Sequence, residues 1–202
     1  MNTPDDEFTN VILKQFPAGH KGLAIECGAN DGIADSPCYL LEVEHNWNCI
    51  NIEANPYCKP LLKKNRPNAR NLFCGLAGKE CVKNLFIPSR YATRRELAGG
   101  ATFYKKIQEG KELEKKRVYC MTYEKLISIY NLKNQHIDLF VLDVEGYERQ
   151  IILNMAKTDT HPDVFVVEHS HSDDFSVELS DMGYKQVDSY KDNWIMKKRR
   201  LL

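Results

Sequence analysis

The run Ile137-Asp138-Leu139-Phe140-Val141-Leu142-Asp143 constrains this chain more than any other stretch. Its apolar side chains fall on both faces of any strand it forms, so neither face can meet water. Such a strand belongs in the middle of a parallel sheet, and a parallel sheet needs crossover helices on both sides. Shorter runs of the same kind surround it. Leu23-Ala24-Ile25-Glu26, Cys49-Ile50-Asn51-Ile52-Glu53, Asn71-Leu72-Phe73-Cys74 and Val164-Phe165-Val166-Val167-Glu168-His169 read as strands. Val82-Lys83-Asn84-Leu85-Phe86-Ile87 reads as an extra one.

Helical patterns fall between these runs. One is entered near Ser36-Pro37, where proline suits a first turn, and one runs from Asn55-Pro56 through Lys64. Others cover residues 123–130, 147–155 and 175–182, the last stopped by Gly183. Closing strands at 184–187 and 193–196 complete a doubly wound α/β sheet with an antiparallel end. Right-handed crossovers put the loops after the parallel strands on one edge, and ligands of such folds bind there, beside strand one. Four of those strand ends carry acids: Glu26, Glu53, Asp143 and Glu168. Residues 89–119 break the alternation, being charged and holding Gly99-Gly100. A solvated connection and a flap over the substrate are the two readings of that insertion.

The 202 residues have the size of one domain, 1–202, standing alone or within a longer polypeptide. A chain this long buries roughly 70% of its unfolded surface and needs no staple. Twenty-eight Lys and Arg balance 28 Asp and Glu, so no global field draws the protein to nucleic acid. No apolar run approaches the roughly 18 residues of a membrane span, and the first residues lack a signal peptide's pattern. Seven cysteines, an odd set without Cys-x-x-Cys, read as buried thiols in a reducing, cytoplasmic compartment.

The loop Glu26-Cys27-Gly28-Ala29-Asn30-Asp31-Gly32 has glycines where a nucleotide loop needs them, but Asn30 stands at the middle glycine of a dinucleotide fingerprint. Asp31 adds a charge that repels a pyrophosphate. S-adenosylmethionine has no phosphate and offers an ammonium and a sulfonium, so an acid-lined glycine loop suits it. Glu53, at the end of strand two, is placed to accept both ribose hydroxyls.

At this point the sequence resembles the FkbM-like class I methyltransferases. The matching blocks are residues 25–32 (IECGANDG), 36–42, 47–56 (WNCINIEANP), Asn65-Arg66-Pro67, 137–148 (IDLFVLDVEGYE) and 166–169 (VVEH). Two blocks depart from the family, with Ser36-Pro37-Cys38 for Ser-Asn-Thr and Glu53-Ala54-Asn55-Pro56 for Glu-Pro-Asn-Pro. The resemblance implies a Rossmann-like, mostly parallel seven-stranded sheet with an antiparallel C-terminal strand and helices on both faces. It implies an S-adenosylmethionine-dependent O-methyltransferase acting on a hydroxyl of a small molecule or of a sugar in a glycan, deoxysugars included. A fused or associated glycosyltransferase is the partner such an acceptor suggests. The cofactor-binding set it points to is Glu26, Gly28, Asn30, Asp31, Gly32, Ser36, Glu53, Ala54 and Asp143.

A sugar hydroxyl is a poor acid, so its methylation calls for a general base or a metal. Asp143 and Glu145 follow strand four, and Glu168-His169 closes strand five on the same edge. In one mechanism His169 is the base and an acid orients its ring. In the other Asp143, Glu168 and His169 or Glu145 hold Mg²⁺ or Mn²⁺. Glu145 also suits a helix cap, and Glu148 suits pairing with solvent or a basic neighbour.

Two rival functions fit less well. A nicotinamide-dependent sugar oxidoreductase would want the missing glycine and a Tyr-x-x-x-Lys helix after strand four. A degenerate binding scaffold would have lost the strand-end acids, and all four are present. Asn55-Pro56-Tyr57 resembles a base-methylation motif but follows strand two rather than strand four, which disfavours a nucleic-acid substrate.

Overall fold

The computed structural model describes residues 5–89, 100–104, 110, 112–169 and 174–199. In chain order its elements are α1 (Asp6–Leu13), β1 (Leu23–Cys27), α2 (Pro37–Val43), β2 (Asn48–Ile52), α3 (Lys59–Asn65), β3 (Arg70–Leu72), β4 (Gly75–Leu76) and β5 (Cys81–Pro88). There follow β6 (Leu113–Met121), α4 (Tyr123–Ile129), β7 (Leu139–Leu142), α5 (Glu148–Met155), β8 (Val164–Glu168), α6 (Ser176–Asp181), β9 (Tyr184–Tyr190) and β10 (Asn193–Lys198).

Seven strands form one sheet in the order β3-β2-β1-β7-β8-β10-β9. The run read first in the sequence is its centre: β7 lies parallel between β1 and β8. Strand order reverses between β1 and β7, which opens the crevice where such sheets take ligands. β10 runs antiparallel to both β8 and β9. Successive β7 side chains serve opposite cores, as strand pleating requires. Leu139 and Val141 pack with Phe8 and Ile12 of α1 and Leu41 of α2. Phe140 and Leu142 pack with Leu126 of α4, Ile151 and Ile152 of α5 and Leu179 of α6. Among the described residues no helix is long and apolar enough to cross a membrane.

A second sheet, ordered β4-β6-β5, stands beside the first. β5 and β6 pair antiparallel from Cys81↔Cys120 to Pro88↔Leu113, and β6 also pairs parallel with β4. This is where structure and sequence reading part. The back of the charged 89–119 stretch is an ordered strand, not a connection, because Val118 and Cys120 turn inward while Lys115, Arg117 and Tyr119 face water. The flap reading of that stretch falls chiefly on residues 90–99, 105–109 and 111, which lie outside the described residues. Helix α1 is a further element that the strand alternation did not reveal, started by the Asp5 carboxylate accepting from the Phe8 N–H at 3.0 Å. Helix α3 begins at Lys59 rather than at Asn55, whose side chain instead accepts from the Tyr57 N–H in a turn.

Candidate active site

The loop after β1 and the loop after β7 touch through one glycine. Gly28 has φ +97°, and a Cβ built on it would lie 1.6 Å from the Asp143 carbonyl oxygen. Gly28 and Ala29 donate their N–H groups to the Ile52 carbonyl, at 3.0 and 3.1 Å, tying the same loop to β2. Asn30 (φ +50°) then gives its N–H to Glu53 Oε2 at 2.7 Å, while Glu53 Oε1 accepts from the Asn55 N–H at 2.6 Å. The Glu53 carboxyl is therefore fixed in direction at the end of β2. Burial pushes its pKa up to about 7, against the opposing pull of the Asn55, Asn30 and Ala54 amides.

Part of the predicted cofactor set lies behind this loop and holds it. Glu26 Oε2 accepts from Ser36 Oγ at 2.8 Å and faces Arg66 Nη1 at 3.5 Å. Arg66 is fully buried, bonds Glu42 through Nε at 2.6 Å, and donates to the Gly32 and Cys38 carbonyls. Burial works against the guanidinium charge, but Glu26 and Glu42 are among the groups that keep it protonated. Burial likewise lifts the Glu26 carboxyl, with Arg66 and Ser36 opposing. At Gly32 a Cβ would meet Arg66 Cγ at 2.6 Å, so that glycine makes room for the arginine. Asp31 accepts from the Ile33 and Ala34 N–H groups at 2.9 Å and shapes the turn into α2. In the sequence, Arg66 carries a single signal of this role, its place in the Asn65-Arg66-Pro67 block.

In front of the loop is a cleft. Gly28, Asn30, Glu53, Ala54, Asp143 and Glu145, all singled out in the sequence, line it. Apolar walls come from Ile52, Leu76, Leu85 and Phe103.

The far side of the cleft is the loop from Asp143 to Tyr147. Glu145 takes a left-handed φ of +56° and Gly146 one of +92°. Glu148, the first residue of α5, is fully buried, and its Oε1 accepts from the Val144 and Gly146 N–H groups at 2.9 and 3.2 Å. From the sequence, Glu148 is expected to pair with solvent or a basic neighbour; the structure buries it and makes it a cap on the 143–147 loop. Asp143, Glu148 and Glu168 gather with carboxylate oxygens within 4.8 Å of one another. Burial, then the charges of Glu168, Glu145 and Glu148, hold the Asp143 carboxyl well above its usual range. His169 sits elsewhere. Its ring stacks on Trp194 with centroids 4.7 Å apart, and it lines a separate depression with Lys185 and Gln186.

An acid-lined crevice at the strand-order reversal of a seven-stranded sheet, with one antiparallel strand near its edge, defines a class I methyltransferase fold. The methyltransferase FkbM domain family matches residues 26–191, and the chain belongs to that family. Among solved structures, methyltransferase FkbM from Methylobacillus flagellatus KT is similar in fold at 11% identity and a TM-score of 0.50. The match covers 88% of this chain and 43% of that one, so the chain spans less than half of that relative's length. The METTL16 methyltransferase domain is similar at 10% identity and a TM-score of 0.50, over 94% of this chain and 65% of that one. No curated protein matches this chain in sequence.

The family implies S-adenosylmethionine, and the donor set fits it. Glu53 offers a fixed carboxylate for a ribose diol, and Ile52, Leu76 and Leu85 offer a dry wall for a purine. Glu145 offers negative charge for an ammonium and a sulfonium, and a cation beside Asp143 would oppose the burial and acidic neighbours that hold the proton on its carboxyl.

Proposed function

We propose that this protein is an S-adenosylmethionine-dependent O-methyltransferase acting on a hydroxyl, with a sugar in a glycan as the acceptor class. The observation that carries the reading is the convergence of Glu53, Asp143 and Glu145 on one cleft between β1 and β7. The saccharide rests on the resemblance to FkbM-like enzymes, and an associated glycosyltransferase supplying the glycan belongs to the same reading.

Bound S-adenosylmethionine supplies an electrophilic methyl group on a positively charged sulfur. Glu53 accepts the ribose hydroxyls, and the apolar wall excludes water from the purine. Asp143 faces the charged end of the cofactor. Glu145, partly exposed on the cleft, accepts the acceptor's proton as its oxygen attacks in line. His169 has no part in this version, because its ring is turned against Trp194. The grouping of Asp143, Glu148 and Glu168 favours a second version, in which these three would hold Mg²⁺ or Mn²⁺ and the ion would acidify the hydroxyl.

Isothermal titration with S-adenosylmethionine, S-adenosylhomocysteine and NAD tests the cofactor. Micromolar binding of the first two alone supports it, and binding of NAD or of nothing overturns it. Transfer of labelled methyl to a panel of sugars tests the acceptor. An ether label survives mild base, whereas release of the label as methanol means a carboxylate was methylated. Loss of transfer in EDTA, restored by Mg²⁺ or Mn²⁺, selects the metal version.

A further inference from the structure

The cleft and the Asp143–Glu145 loop are joined by residues 100–104. Gly100, Ala101 and Phe103 line the cleft, while Thr102 between them is fully buried. Thr102 exchanges both backbone hydrogen bonds with Phe86 of β5, at 2.9 and 3.0 Å. Its Oγ donates to the Glu145 carbonyl at 2.7 Å and accepts from the Tyr104 N–H at 3.1 Å. The hydroxyl thus uses both of its capacities, one on its own segment and one on the loop. Phe103 packs edge-on against Tyr147 at 5.3 Å, the residue that ends the same loop. Glu145 needs such a fixture, since its left-handed backbone is one that residues bearing a Cβ rarely adopt.

We propose that Thr102 is a positioning residue for methyl transfer: its hydroxyl holds the Glu145 backbone and thereby aims the Glu145 carboxylate at the sulfonium end of the cofactor. The proposal rests on the cleft being the S-adenosylmethionine site. Its consequence is selective. Loosening the loop weakens attraction for a positive sulfur and leaves the adenosine end alone, because Glu53 is held from the other side by Asn30 and Asn55.

Three probes separate those ends. S-adenosylmethionine carries the positive sulfur, S-adenosylhomocysteine a neutral one, and 5′-methylthioadenosine only the nucleoside with a neutral thioether. Thr102→Val keeps the size and branching and removes the O–H. The preference of the protein for S-adenosylmethionine over S-adenosylhomocysteine should fall by roughly five- to tenfold in Thr102→Val, the loss of about one hydrogen-bonded arrangement. It should stay within about twofold of the wild type in Thr102→Ser, and methylthioadenosine affinity should be unchanged in both. An unchanged preference in Thr102→Val, or an equal loss for all three probes, overturns the proposal.

If Thr102→Val fails to fold, amide exchange in the unmodified protein decides. Saturation with S-adenosylmethionine should slow exchange at Phe86, Thr102 and Tyr104 together with Val144 and Gly146. Slowing at Val144 and Gly146 alone overturns the link. Wild-type protein that binds none of the three probes brings down the cofactor reading itself, and this proposal with it.

Discussion

At the scale of single residues, the site depends on how few groups can hold each carboxylate. Glu53 is the clearest case. If Glu53 takes the ribose hydroxyls as proposed, its folded pKa of about 7 makes a proton their competitor below neutrality. The carboxylate form is the acceptor, so affinity for S-adenosylhomocysteine should rise from pH 6 to pH 8, by up to about tenfold per unit below 7. Titration calorimetry at three pH values reads this directly, and Glu53→Ala should flatten the profile while weakening binding several-fold or more. Arg66 makes a different prediction. Arg66→Met leaves Glu26 and Glu42 without their cation in a buried setting, at a cost of about 3–5 kcal/mol in urea denaturation. Gly28→Ala should be at least as damaging for its size, since the new methyl collides with backbone at a positive φ.

At the scale of elements, α5 begins by capping the loop before it. Glu148→Ala strands two N–H groups, Val144 and Gly146, and should cost about 1–3 kcal/mol, with Glu148→Gln recovering part of it. Paired urea melts of the two variants check the order. The same scale shows why some of the site was legible in the sequence and some was not. β7 declared itself because burial on both faces leaves only apolar choices. β6 stayed hidden because one of its faces is wet, and Glu114, Lys115, Lys116 and Arg117 in a row look like a solvated connection. The strand-end acids were found, but not the direction in which each points. Adjacent residues on a strand face opposite ways. Cys27 lines the cleft while Glu26 turns back to Arg66, and Glu168 joins Asp143 while His169 goes to Trp194. A sequence motif records neighbours along the chain, and this site is built from neighbours across it.

At the scale of the whole molecule, the cleft draws on β1, β2, the loop after β7 and the second sheet, so a ligand there stabilises all of them at once. S-adenosylhomocysteine at a hundred times its Kd should add about 2.7 kcal/mol. For a chain of this size that is a rise in Tm of roughly 5–10 °C, with no shift from NAD. A scanning melt is enough to see it, and an equal shift from NAD would point to a dinucleotide site instead. The contact of Gly28 with the Asp143 carbonyl has one more consequence, for protein chimaeras. The two loops are distant in the chain yet separated by less than the width of a methyl group, so neither has a shape of its own. A glycine loop grafted in from a relative will fail unless the segment after β7 travels with it.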